Sequence, residues 1–146
     1  MAEELSKIMV CIDGSEASIK AARRVLEMAK KYEAKVVAIY ISFIPNYLRR
    51  LPQYAWEELQ VYDVEQMQEW LKDIVIQANE QNIQFKTLVR ETTSSVVKEI
   101  IDVADEERVD LIVVGSTGKS RLDRMLVGSV AQGVMINAKC SVLLVR

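Results

Sequence analysis

Lys7-Ile-Met-Val-Cys-Ile-Asp13 is a short, unbroken apolar run closed by an acid. A strand with no polar residue on either face is buried on both, which favours a parallel sheet covered by helices over an alternating antiparallel one. Four more runs have this character: Lys35-Val-Val-Ala-Ile-Tyr-Ile-Ser42, Gln84-Phe-Lys-Thr-Leu-Val-Arg90, Asp110-Leu-Ile-Val-Val-Gly115 and Ser141-Val-Leu-Leu-Val-Arg146. The third roughly alternates and is expected at a sheet edge. Between them the period becomes helical, with one face carrying Ile19, Ala22, Leu26 and Ala29, another Met67, Trp70, Leu71, Ile74 and Ala78, and a third Val97, Ile100, Ile101 and Ala104. Ser15, Ser94 or Ser95, and Ser129 stand where the first, third and last helices should start and can cap them. Such alternation implies right-handed crossovers and an open, doubly wound α/β sheet with helices on both faces.

One segment breaks the rhythm. Phe43-Ile-Pro-Asn-Tyr-Leu-Arg-Arg-Leu-Pro-Gln-Tyr54 holds both prolines and an arginine pair, and is either a lid or partner surface or an ordinary connection over the second helix. With 146 residues, half of them hydrophobic, the chain is expected to form a single domain over residues 1–146. A net charge of −2 offers no basic excess for a nucleic-acid backbone, so no nucleic-acid partner is expected. Met1-Ala-Glu-Glu-Leu-Ser-Lys7 lacks the apolar core of a signal peptide, and no apolar run approaches the roughly 20 residues of a membrane span. A soluble, cytoplasmic protein without membrane contact is expected. Cys11 and Cys140 make no metal-ligand spacing and are expected as buried thiols. With no histidine in the chain, the Ser/His/Asp and Cys/His nucleophile systems and the common zinc sites are excluded.

Open parallel sheets bind ligands beyond the C-terminal ends of their strands, where the strand order reverses. Two segments occupy such places, Asp13-Gly-Ser15 and Gly115-Ser-Thr-Gly118. The second opens Gly115-Ser-Thr-Gly-Lys-Ser-Arg-Leu-Asp-Arg-Met-Leu-Val-Gly-Ser129, which holds most of the chain's glycines and leads into a helix. Glycines let backbone amides approach phosphate oxygens, and the helix near Ser129 adds unpaired N–H groups and a positive dipole end. Lys119 and Arg121 add charge. Taken singly, each glycine is as well explained by a turn or a cap.

Two better-known phosphate motifs are absent. Gly118-Lys119-Ser120 imitates the end of a Walker A loop, but the glycine required five positions before Gly118 is Val113, inside the fourth strand. The dinucleotide fingerprint G-x-G-x-x-G is missing as well. Asp13 ends a buried strand and is suited to accept from a ribose hydroxyl or an adenine amine, or to cap a turn, with Ser15 the better helix cap. A phosphoryl-accepting receiver site would need an acceptor Asp after the third strand, where Arg90-Glu91-Thr92 stands instead.

The spacing G-x2-G-x9-G-[ST], met by Gly115, Gly118, Gly128 and Ser129, resembles the ATP-binding signature of the universal stress protein family. The resemblance covers essentially the whole chain, from Ile8-Met-Val-Cys-Ile-Asp-Gly-Ser15 through Val109-Asp-Leu-Ile-Val-Val-Gly-Ser-Thr-Gly118 to Cys140-Ser-Val-Leu-Leu-Val-Arg146. It implies a Rossmann-like sheet of five parallel strands in the order 3-2-1-4-5. By the same resemblance Asp13, with Ser15 beside it, meets the ribose or adenine, Ile41 supplies backbone contacts to adenine, and Ile12 and Val114 line the base pocket. Gly115, Gly118, Lys119, Gly128, Ser129 and Val130 surround the phosphates, whose oxygens carry Mg²⁺ or Mn²⁺ without protein ligands. Cys11 departs from the proline or alanine that relatives carry just inside the first strand.

The resemblance also implies a homodimer formed by antiparallel pairing of the last strands, Ser141 to Val145 here, an apolar edge that is hazardous if left unpaired. Three functions follow. The first is an ATP-binding stress regulator with no or very slow hydrolysis and no catalytic residue. The second is an ATP hydrolase or nucleotidyl-transfer enzyme in which Asp13 and a divalent ion activate water. The third is an interaction module without nucleotide.

Overall fold

The computed structural model of the chain describes residues 4–117 and 127–146. Its elements run β1 (Lys7–Cys11), α1 (Glu16–Tyr32), β2 (Lys35–Phe43), a 3₁₀ turn (Asn46–Arg50), α2 (Gln53–Glu80), β3 (Phe85–Thr92), α3 (Val96–Glu107), β4 (Leu111–Gly115), α4 (Ser129–Asn137) and β5 (Ser141–Val145). All four strand pairings are parallel and the order is β3-β2-β1-β4-β5. The expected doubly wound sheet is therefore what forms, with the alternating third strand at one edge.

Central burial explains the apolar runs. Ile8, Val10, Val36, Ala38 and Val113 pack against α1 and α2 on one face, and Met9, Val37, Ile39, Ile112 and Val114 against α3 and α4 on the other. On edge strand β3, Lys86 and Thr87 stay exposed.

Capping sets the helix starts. Ser15 Oγ accepts from Ser18 N at 3.2 Å and Ser95 Oγ from Lys98 N at 3.1 Å, so Ser95 rather than Ser94 caps α3. The expectation for the last helix is corrected: Gly128 is the N-cap and Ser129 already lies inside the first turn, leaving its hydroxyl free of capping. The segment after β2 is neither all loop nor all lid. It forms the 3₁₀ turn and then runs through Pro52, whose fixed φ suits a helix entrance, into α2.

At the N-terminal ends of the strands, away from the candidate ligand end, side chains tie β1 to β4. Asp110 accepts from Ser6 N at 2.9 Å, Ser6 Oγ at 2.7 Å and Lys7 N at 2.8 Å, and Glu107 accepts from Lys7 Nζ at 2.7 Å and Lys86 Nζ at 2.8 Å. The Lys7 and Lys86 hydrogen bonds hold the Glu107 carboxyl below its usual range. For Asp110, burial pushes upward, but the Ser6 and Lys7 hydrogen bonds prevail and lower it. Both groups have lower pKa values folded than unfolded, so the stability they add is complete above the unfolded carboxylate range and lost as pH falls through the folded values. Thermal melts are expected to hold steady down to about pH 5 and to fall below about pH 4. Asp110→Ala should cost roughly 1 kcal/mol at neutral pH, a drop of about 2–4 °C in Tm. An unchanged melt would show that the tie between β1 and β4 carries no stability.

Candidate functional site

The site forms where β1 stops. In register, Cys11 faces Ile39, and the backbone N of Ile12 makes one last bond to Ile39 O at 2.8 Å. Strand β2 continues to Phe43, still paired to β3 on its other side. Backbone groups alternate sides along a strand, so Ile41, two residues past Ile39, turns its N–H and C=O toward the place β1 has vacated. A donor and an acceptor on one strand edge can read the edge of a planar base.

Beyond β1 the chain turns sharply. Asp13 N donates to Ser18 Oγ at 3.3 Å, Asp13 Oδ1 accepts from Ser15 N at 2.9 Å, and Gly14 sits at φ +81°. The carboxylate is thereby fixed at the mouth of the crevice while Ser15 begins α1. Gly14 has a second constraint: a methyl group on it would lie 2.3 Å from Trp70 Cε2.

Strand β4 enters the same place from the other side of β1. A methyl on Gly115 would meet the Ala17 backbone carbon at 2.8 Å, so this glycine is needed for close packing of β4 on the first turn of α1. After it, Ser116 N donates to Val145 O and Gly128 N to Ser116 O, each at 2.7 Å, while Ser15 Oγ reaches Thr117 O at 3.5 Å. These bonds bring the N-termini of α1 and α4 to the ends of β1 and β4. Helix α4 starts at Ser129, and the first N–H groups of any helix lack partners within it. Ser129 and Val130 are exposed at this helix start, a position suited to anions.

Of the predicted residues, Asp13 and Ser15 lie in the turn after β1, Ile41 near the C-terminal end of β2, Gly115 at the end of β4, and Gly128, Ser129 and Val130 at the start of α4. Gly118 and Lys119 lie outside the described residues. Ile12 and Val114 are separated: the Ile12 side chain joins the layer under α1 and α2, and Val114 the layer under α3 and α4. Successive residues of a strand point to opposite faces, so the two side chains approach the strand ends from different layers. Sequence reasoning missed Thr117, Ser18 and Trp70. The only available signal was the Asp-Gly-Ser triplet, whose glycine marks a turn.

Among the described residues, acids act on this end of the sheet. Burial, and after it the charge of Asp13, pushes the Cys11 thiol up to about 12, while burial and then Asp63 raise the Tyr40 phenol. Burial also raises Glu91 against a hydrogen bond from Gln60. Among the described residues, no three acids or cysteines are placed to hold a metal ion.

The sheet order, with its reversal between β1 and β4, puts the chain among the doubly wound α/β domains whose ligand crevices lie at that reversal. Within that class the chain belongs to the universal stress protein family, whose profile it matches over residues 4–146. It is 36% identical to universal stress protein MJ0531 of Methanocaldococcus jannaschii, across 96% of this chain and 81% of that protein. The hypothetical protein MJ0577 superposes with a TM-score of 0.81 at 24% identity, covering 98% of this chain and 96% of that one. A universal stress protein solved in complex with cAMP superposes with a TM-score of 0.63 at 26% identity, covering 99% and 98%.

The raised thiol pKa sets a reactivity expectation. Moving from 9.0 to about 12 cuts the thiolate present at pH 8 about a thousandfold. Peptide mass spectrometry after iodoacetamide treatment should find Cys11 unmodified in the native protein and alkylated only after denaturation. Prompt native alkylation would show that Cys11 is open to solvent.

Proposed function

We propose that the chain binds ATP in the crevice at the ends of β1 and β4 and acts as a nucleotide-dependent stress regulator with no or very slow hydrolysis. The observation that carries this is that the β1–β2 pairing ends at Cys11 and Ile39, two residues short of Ile41, with the Asp13 carboxylate held in the turn that follows β1. Adenine presents a matching donor and acceptor, and Asp13 suits a ribose hydroxyl. The phosphates would lie along the glycine loop, against the amides of Ser129 and Val130 and the Ser129 hydroxyl. Lys119, by its place in the motif, would add charge to them. The cAMP-bound relative supports an adenine nucleotide as the ligand class. With no metal-binding group of acids among the described residues, Mg²⁺ or Mn²⁺ would ride on the phosphates. The Asp13 carboxylate is already engaged by Ser15 N in its turn, which supports binding over turnover.

Calorimetric titration with Mg-ATP should show one site per chain, with phosphate release near background. Ser129→Ala should weaken binding about tenfold to a hundredfold, the loss of one charge-assisted hydrogen bond. A folded Ser129→Ala variant that binds like wild type would remove the phosphates from α4. Rapid release of phosphate would favour the hydrolase.

The same reading includes a homodimer through β5. This strand closes one sheet edge, and Ile136 on neighbouring α4 is 80% exposed. Val145 O is bonded to Ser116 N, so the alternation of the strand aims the N–H groups of Val142 and Leu144 off the free edge. Val142→Pro removes one of those donors without touching the β4 ladder. Light scattering after gel filtration should give a dimer for the wild type and a monomer for the variant. A dimer unaffected by the proline would place the contact elsewhere.

A further inference from the structure

We infer that Trp70 is a positioning residue for the nucleotide: its indole buttresses the Asp13–Gly14–Ser15 turn from α2 and reports on occupancy of the crevice. The inference rests on the ATP-binding reading above and extends it to a helix that contributes none of the motif residues.

Contact and conformation coincide at one position. Gly14 adopts φ +81°, a backbone state that side chains disfavour, and a methyl group there would lie 2.3, 2.5 and 2.7 Å from Trp70 Cε2, Cζ2 and Nε1. The turn therefore lies directly against the indole, with no room for a Cβ between them. The indole also meets Tyr40 edge to face, with ring centroids 5.1 Å apart and planes at 85°. Tyr40 belongs to β2, one residue before Ile41. Trp70 thus touches the turn that carries the ribose-binding carboxylate and the strand that carries the adenine-binding edge. Neighbouring Met67, Leu71 and Ile74 of α2 are buried in the core, so the helix offers a rigid base.

The physical consequence is preorganisation. Two hydrogen bonds hold the Asp13 turn, at 2.9 and 3.3 Å, and the second is long for its type. Without the indole at its back, a turn with a glycine at its centre has other conformations open to it, and binding would have to restrict them. Loss of Trp70 should then weaken nucleotide binding although no indole atom need touch the nucleotide. Indole emission follows its surroundings, so ordering of the turn by a ligand should also change Trp70 fluorescence.

The chain has two tryptophans, and Trp56→Phe leaves Trp70 as the single indole emitter. Mg-ATP is titrated into this variant by calorimetry and by fluorescence. Coincident midpoints with a changed Trp70 emission are expected. In the same background Trp70→Ala, checked for folding by circular dichroism, should bind about tenfold more weakly, and Trp70→Phe, which keeps an aromatic ring against Gly14, should recover most of that loss. Calorimetric binding with silent emission, or a folded Trp70→Ala variant with unchanged affinity, overturns the role of Trp70 and leaves the ATP site standing. Absence of calorimetric binding overturns both. If Trp70→Ala does not fold, the emission measurement decides alone.

Discussion

Strand β1 ends at Cys11 while its neighbour β2 runs on to Phe43, and the crevice exists because of that mismatch. Had β1 continued, its backbone would have paired with β2 as far as Ile41. The chain leaves the ladder through Ile12, bonded once more to Ile39, and then turns at Asp13 and Gly14 into α1. Every other element of the site is placed relative to this exit. Gly115 lets β4 close on the first turn of α1, and Ser116 links both β5 and Gly128 to the same corner.

The glycines around this corner serve different masters. Gly14 is required by its positive φ and by Trp70, Gly115 by the α1 backbone, and Gly128 caps α4. The spacing motif records Gly115 and Gly128 alike as one ligand signature. The structure separates a packing glycine from a capping one, and leaves the exposed start of α4 as the feature best suited to anions. Gly133, outside the motif, is a packing glycine too, since a methyl there would meet Val97 Cγ2 at 2.6 Å.

The two ends of the sheet divide the work. At the N-terminal ends, hydrogen bonds accepted by Asp110 fasten β1 to the start of β4, and those accepted by Glu107 fasten α3 to β1 and β3. At the C-terminal ends the strands stop at different heights, with Asp13, Asp63 and Glu91 the acids at this end among the described residues. Binding a polyanion beside such carboxylates needs compensating positive potential. The helix N-termini supply part of it, and Lys119 and Arg121 stand in the motif segment.

Much of the fold was legible in the sequence, because the determinants are local or periodic. Unbroken apolar runs such as Ile8 to Ile12 demand burial on both faces, Ile19, Ala22, Leu26 and Ala29 mark a helix stripe, and Ser15 and Ser95 stand one residue ahead of their helices. The glycine spacing before Ser129 was equally open to reading, as was Asp13 at a strand end. Three matters depended on residues far apart in the chain: the end of β1 two residues short of Ile41, the separation of Ile12 and Val114 into opposite layers, and the seating of Trp70 against Gly14. Each follows from where one strand ends relative to its neighbour, or from which helix packs over which turn. Such relations arise only when distant segments compete for the same buried surface, so only the tertiary structure decided them.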